Sequence, residues 1–345
     1  MIIIDGIIFS LQKAGGISVY FYELLKYIQK ANKEYLHLLY NNQNAYANGN
    51  GFIINSKTRL HVSIERFRRV PIIGDETDIF HSSYYRLPER SFSGKIITTV
   101  HDFTEEMYPR GIVSKIHHIQ KRNAILGSDG IICISKNTMM DMHRLIPESI
   151  DIPTTVIYNG VGDFKSKECL GEYEPYVIFV GARNGYKNFN MCISALKKIN
   201  DIRLVVVGGG GFTDNELKLL NTLIPGRYSH AGFITEIELN KLYQNSLALI
   251  YPSSYEGFGI PVIEAMKSGC PVIASNSSSV QEISNNAALL IDSICDKKIA
   301  DAIQSLRNPA FRQEKIKLGI MNATNYSWDK MANETLSFYN TIRGL

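Results

Sequence analysis

Two carboxylates eight positions apart, Glu256 and Glu264, flank the run Gly257-Phe258-Gly259-Ile260 and are the side chains best suited to chemistry. Residues 247–251, LALIY, form an apolar run closed by Pro252 and two serines, which predicts a buried strand. Pro261 stands where a helix begins, a position proline tolerates because its missing N–H has no intrahelical partner there. The helix continues through Met266 and stops at Gly269, and residues 271–275 read as the next strand. Glu256 therefore falls in the loop at a strand's carboxyl end, and Glu264 about one turn into the following helix. In open α/β sheets ligands bind outside the carboxyl ends of the strands. Gly257 and Gly259 let backbone approach a ligand, and the helix N-terminus offers free N–H groups to a phosphate. Carboxylates beside such a site suit hydroxyl groups, which donate to them. Phosphates in the middle and hydroxyls at both ends describe a nucleotide sugar. The plainer alternative is an acidic loop and an amphipathic helix with no ligand.

Other stretches carry compatible chemistry. Residues 176–180 read as a strand leading to Gly181-Ala182-Arg183-Asn184-Gly185-Tyr186-Lys187-Asn188. Arg183 and Lys187 thus fall together past a strand end, where two cations suit a diphosphate leaving group; a solvated loop is the alternative. The β-branched strand at 95–100 delivers His101-Asp102 to its carboxyl end, a position that lines the crevice; a structural hydrogen-bonded pair is the alternative. After a first strand at 1–4, a loop ending in Ala14-Gly15-Gly16 opens a helix with Ile17, Tyr20, Phe21, Leu24, Leu25 and Ile28 on one stripe. Gly15 and Gly16 make either a phosphate-compatible turn or a plain tight one. The strand at 202–207 and the glycines at 208–211 invite a dinucleotide reading, but Thr213 stands where the third glycine of that fingerprint belongs.

Glu256 and Glu264 framing GFGIPVI resemble the E-x7-E signature of the large glycogen-synthase-like family of retaining glycosyltransferases (glycosyl transferases group 1, family 4), and the likeness extends over nearly the whole chain. The AGGIS stretch is similar to bacterial surface-polysaccharide mannosyltransferases. The resemblance implies an α/β chain with the GT-B fold: two facing Rossmann-like domains and a C-terminal helix that crosses back to the first. It implies transfer of a hexose with anomeric retention to a lipid-linked surface polysaccharide such as O-antigen. GDP-mannose is favoured as donor, ahead of a UDP-hexose or UDP-N-acetylhexosamine. By the same resemblance His101, with Asp102 beside it, contacts the donor sugar, and Arg183 and Lys187 bind its diphosphate. Gly15 and Gly16 face the diphosphate and acceptor, and backbone near Gly232 and Phe233 holds the nucleobase. Glu256 orients the sugar hydroxyls and Glu264 the ribose, with Gly257, Phe258, Gly259 and Ile260 forming the loop between them. The chain lacks a D-x-D motif, so leaving-group charge is expected to fall to Arg183, Lys187 and helix N-termini, with no metal and no cofactor. GT-B epimerases add catalytic carboxylates and phosphorylases a lysine-bound cofactor, and neither is evident. A non-catalytic nucleotide-sugar-binding protein is the competing class, disfavoured by the joint presence of His101, Arg183, Lys187, Glu256 and Glu264.

Strand and helix alternate twice over the 345 residues, which predicts an N-terminal domain at 1–165, a C-terminal domain at 166–326 and a helix at 327–345 packing back on the first. The polar stretch 159–174 is the linker. Short strands are expected at 35–40, 52–54 and 60–64, with a polar loop at 41–51 between the first two. Ser135 is expected to cap the helix at 136–145, and Thr235 with Glu238 to form a capping box. Trp328 reads as a packing anchor. The five cysteines form no C-x-x-C pair and no apolar run reaches the ~18 residues of a membrane span, which argues for a reduced, cytoplasmic protein. A net charge of +4 is too small to imply nucleic acid. Two basic stretches, Arg66, Arg68 and Arg69, and then Lys115, His117, His118, Lys121 and Arg122, are either solvated faces or contacts with an anionic membrane surface or a lipid diphosphate.

Overall fold

The computed structural model describes residues 1–40, 44–46, 54–55, 60–167, 173–183 and 185–344. The expected strand at 52–54 and loop at 41–51, part of the linker at 159–174, Cys169 and Asn184 fall wholly or partly outside them. The chain divides into two compact units, Met1–Gly160 with Trp328–Leu345, and Val161–Ser327.

The first unit is built on a parallel sheet of seven strands: β1 (Ile2–Asp5), β2 (Tyr35–Leu39), β3 (Ile54–Asn55), β4 (Ile79–Ser82), β5 (Lys95–Val100), β6 (Gly130–Cys133) and β7 (Thr154–Val156). Their order is β3-β2-β1-β4-β5-β6-β7. Ile3 of β1 pairs with Leu36 on one side and Phe80 on the other. The winding reverses between β1 and β4, the place where a doubly wound sheet opens a crevice. Helix α1 (Gly16–Lys30) buries Tyr20, Phe21, Leu24, Leu25 and Ile28 against this sheet. Each such side chain contributes roughly 1.5–3 kcal/mol by burial. Helix α2 (Ile112–Leu126) precedes β6, and Ser135 caps the helix Lys136–Leu145 by accepting from the Thr138 N–H at 3.0 Å.

The second unit has a six-stranded parallel sheet: β8 (Tyr176–Val180), β9 (Arg203–Val207), β10 (Tyr228–His230), β11 (Ala248–Tyr251), β12 (Val272–Ser275) and β13 (Leu289–Ile291), ordered β10-β9-β8-β11-β12-β13. Strands β8, β11 and β12 are apolar runs rather than alternating ones because both faces of the sheet are buried there. Its winding reverses between β8 and β11. Helix α3 (Glu236–Asn245) starts with the Thr235–Glu238 capping box, and helix α4 (Ile260–Lys267) starts from Gly259 with proline in its first turn. The closing helix α5 (Trp328–Arg343) belongs to the first unit, where it packs on α1. Tyr339 hydrogen-bonds His81 (2.5 Å), Arg343 donates to the Met1 carbonyl (2.8 Å), and Trp328 packs half-buried against the core.

One expected strand is replaced. Residues 60–64 contribute to a helical turn, Val62–Glu65, whose first N–H groups are met by His61: its ring Nδ1 accepts from the Ser63 N–H at 3.4 Å. The alternating pattern LHVSI is overridden by tertiary contacts, because Glu65 is drawn inside to Arg86 (3.2 Å).

Candidate active site

The reversal between β8 and β11 brings the loop after each strand together. Lys187, in the helical turn Gly185–Lys187 after β8, pairs with Glu256 Oε1 from the loop after β11. Both side chains are only 13% exposed, and the ammonium also lies 5.4 and 5.3 Å from the ring centres of Tyr186 and Tyr251. The two loops are sewn together by short-range polar contacts. Asn188, in the left-handed region at φ 52°, donates to the Pro252 carbonyl and to Ser254 Oγ, each at 2.8 Å. The Ser254 N–H donates to the Tyr186 carbonyl at 2.8 Å. From the other side Ser278 Oγ accepts the Glu256 N–H at 2.9 Å, and Ser279 Oγ donates to the carbonyls of Glu256 and Phe258, each at 2.8 Å.

Glu264 lies on α4, one turn past Gly259. Gly259 has φ 105°, which a side chain rarely adopts, so glycine there sets the entry into the helix. The Tyr243 hydroxyl donates to Glu264 Oε2 at 3.2 Å. Burial pushes the Glu264 carboxyl up to about 7, against the Tyr243 hydrogen bond that lowers it. Phe258 is 3% exposed and its ring packs edge-on against Tyr326 at 5.8 Å. Its side chain is therefore core, and only its backbone is left to face a ligand. Ile260 is the first residue of α4, and Gly257 occupies the loop ahead of it.

Arg183 is placed differently from Lys187. Its Nε donates to Glu216 Oε1 (2.7 Å), Nη1 to the Gly208 carbonyl (3.0 Å), and Nη2 to the carbonyls of Gly210 (3.0 Å) and Gly211 (2.7 Å). Glu216 in turn closes the capping box with Thr213. The guanidinium thus fastens the glycine loop 208–211 to the helix behind it, and most of its donors are spent there. Gly232 takes φ 73° and its carbonyl accepts the Gly208 N–H at 3.2 Å, while Phe233 is 89% exposed.

In the first unit His101 follows β5 and is buried, its ring edge-on to Tyr20 at 5.2 Å. Burial holds its pKa down to about 4, so the ring is neutral near pH 7. Among the described residues its Nε2 has no hydrogen-bond partner, which fits a group waiting for a ligand atom. Asp102 accepts the Thr104 N–H at 2.8 Å. Burial raises its pKa, but Lys121 and Thr104 outweigh burial and keep it below the usual range. Gly15 caps α1 with an extended backbone, its carbonyl accepts from Ser18 Oγ at 2.8 Å, and Gly16 is the first helical residue.

Two groups escape a sequence reading. Arg86, 2% exposed, bridges Asp5 (3.1 Å) and Glu65 (3.2 Å) just past the β1–β4 reversal. Asp5 at a strand end hints at this, but its partner arrives 81 residues later. Tyr243, which hydrogen-bonds Glu264, sits in an ordinary amphipathic helix pattern with nothing to mark it. The expected membrane contact of Lys121 is corrected: it is 1% exposed, donating to the Asp102 carbonyl (2.7 Å) and to Glu106 (2.9 Å), because an ammonium this deep needs those acceptors.

Residues 163–317 match the family described as Glycosyl transferases group 1. The chain carries a glycosyl transferases group 1 domain. Its relatives include an O-antigen chain mannosyltransferase B of Escherichia coli, 25% identical over 76% of this chain and 74% of that protein. The O-antigen chain mannosyltransferase RfbU of Salmonella typhimurium is 31% identical over 60% of each. Among solved structures, a sucrose-phosphate synthase from Thermosynechococcus elongatus superposes with a TM-score of 0.78 at 18% identity, covering 99% of this chain and 98% of that one. The Anabaena protein HepE, solved with UDP-glucose, gives 0.74 at 15% identity over 98% and 99%. The two parallel sheets with their helices are the GT-B fold of these glycosyltransferases.

Proposed function

We propose that this group 1 glycosyltransferase moves mannose from GDP-mannose, with retention of anomeric configuration, to a saccharide carried on a lipid diphosphate of the O-antigen type. The observation that carries the reading is the Lys187–Glu256 pair at the reversal between β8 and β11. A donor diphosphate takes over the Lys187 ammonium and leaves Glu256 to accept hydrogen bonds from the sugar. Glu264 accepts from the ribose hydroxyls, and the start of α4 faces phosphate with its free N–H groups. The acceptor hydroxyl attacks C1 on the face from which the diphosphate departs. The C1–O bond to phosphate breaks, and the leaving phosphate oxygen takes the hydroxyl proton. Lys187 stabilises the charge that develops there, without a metal, and Arg183 holds the adjoining glycine loop in shape.

The names of the mannosyltransferase relatives support the choice of sugar. HepE with its UDP-glucose supports a UDP-hexose as the second reading. Thermal-shift measurements against GDP-mannose, UDP-glucose and UDP-N-acetylglucosamine separate the two. A ligand at 100 times its dissociation constant stabilises by about 2.7 kcal/mol, so the preferred nucleotide produces a clear rise. No rise with any nucleotide sugar would overturn the reading.

A further inference from the structure

Helix α2 presents a polar ladder to the segment that leaves β5, where an amphipathic helix ordinarily presents apolar side chains. Ser114, His118 and Lys121 follow one another at intervals of four and three residues, so they share one face. Ser114 Oγ donates to Glu105 (2.8 Å), and His118 Nδ1 lies 3.4 Å from Glu106 Oε1. Lys121, 1% exposed, donates to Glu106 Oε2 (2.9 Å) and to the Asp102 carbonyl (2.7 Å). Its ammonium also lies 4.5 Å from the ring centre of Phe103 and 5.5 Å from that of Tyr85. Lys121 thus touches both residues that follow His101. A buried ammonium is costly to desolvate, and an apolar side chain would fill the same space without that cost.

His101 is enclosed from several sides. The Tyr85 hydroxyl is hydrogen-bonded to its backbone, and Tyr20 and Phe21 of α1 set their rings edge-on to the imidazole at 5.2 and 6.3 Å. Among the described residues its Nε2 has no partner. Two charged groups of the first unit bear on the ring: Asp102, which raises its pKa, and Lys121, which lowers it. The other titratable neighbours are uncharged near pH 7. Burial holds His81 of β4 down to about 3, and pushes the Tyr20 and Tyr85 hydroxyls above their ordinary range. Among the described residues, Lys121 is therefore the cation that offsets Asp102 at this ring.

We propose that Lys121 is a positioning residue: anchored by Glu106, it grips the Asp102 carbonyl and so fixes the strand end from which His101 holds its Nε2 open. The proposal rests on the glycosyltransferase reading only in taking His101 as a substrate-binding group, and it does not depend on which sugar is moved. It accounts for a buried cation that packing of α2 does not require. Ser114 and His118 support the same segment one and two residues of the ladder away, through Glu105 and Glu106. A purely structural ammonium would change stability when removed, and would leave the His101 ring as it was.

NMR titration of the full chain, labelled at histidine and free of ligand, tests it, with the His101 signal assigned by its loss in His101→Asn. In the wild type the ring should stay uncharged down to about pH 5. In Lys121→Met, Asp102 acts on the ring without an opposing cation, and the His101 midpoint should rise by roughly one pH unit or more. The ring then takes a proton at a higher pH, so the pH–rate profile with GDP-mannose should gain an acid limb. At pH 7 kcat should fall by about fivefold or more, with donor KM within about twofold of wild type. Lys121→Met with Glu106→Gln leaves no buried carboxylate unpaired, and serves if the single variant fails to fold. The titration uses no donor, so a wrong donor would show as missing turnover by the wild type and leave the titration to decide. An unchanged His101 midpoint in a variant that melts as a folded protein would overturn the proposal, as would a raised midpoint with wild-type kcat.

Discussion

Replacing Glu264 by glutamine should stabilise this protein at alkaline pH and leave it nearly unchanged at acid pH. Burial lifts the Glu264 carboxyl from 4.5 to about 7. A carboxyl held above its ordinary value binds its proton more tightly in the folded chain than in the unfolded one. Its contribution is therefore complete below about pH 4.5 and is lost as pH rises through 7. At about 1.4 kcal/mol per pH unit the loss is bounded at roughly 3 kcal/mol. Glu264 keeps some solvent exposure, which screens part of that cost, and ~1–2 kcal/mol is the expected net value. Glutamine cannot ionise and still accepts the Tyr243 hydroxyl. With about 2–4 °C per kcal/mol for a unit of this size, Glu264→Gln should melt ~3–6 °C above wild type at pH 8 and within about a degree of it at pH 4.5. Differential scanning calorimetry across that range is the assay. A difference independent of pH, or one that shrinks as pH rises, would refute the placement of a desolvated carboxyl at this position.

Lys187→Ala should lower turnover by at least tenfold, since a charge-assisted hydrogen bond is worth on the order of 1.5–3 kcal/mol; steady-state kinetics with the fold verified by circular dichroism checks it. Arg183→Ala should lower the melting temperature and raise donor KM, and Glu216→Gln should reproduce both effects more weakly, because the guanidinium is spent on carbonyls at 208, 210 and 211. Activity should persist in EDTA, and a complete loss restored by Mg²⁺ would show that Lys187 and α4 do not carry the leaving-group charge. The pH–rate profile should show no inflection from His101 between pH 6 and 8, since burial holds that ring near pKa 4; such an inflection, lost in His101→Asn, would contradict its placement.

Much of the fold is legible in the sequence because buried parallel strands are continuous apolar runs and their helices begin with recognisable caps. LALIY, VIAS and YVIFV read directly as β11, β12 and β8, and Thr235 with Glu238 announces α3. The reversal that joins β8 to β11 is not legible, since it depends on which strands become neighbours. It is that topology which turns Lys187 and Glu256, 69 residues apart, into a pair. The partners of Arg183 are not legible for the same reason. Its position past a strand suits a diphosphate, and the fold also brings its donors to the carbonyls of loop 208–211. In α2 a period of 3.6 marks the helix without revealing which face is inside, because Glu106, Arg66 and Asp102 supply acceptors from elsewhere in the chain.

The claim that Glu256 works on the reacting sugar is tested most directly by the kinetics of Glu256→Gln with GDP-mannose and a lipid-diphosphate-linked saccharide acceptor. The amide keeps the shape and an acceptor oxygen but removes the charge, and the interaction is expected to strengthen as the glycosidic bond breaks. A fall in kcat of tenfold or more, with donor KM changed less, is the predicted result. Wild-type turnover by Glu256→Gln, in a protein that melts normally, would contradict the assignment of the switch-point loop to catalysis.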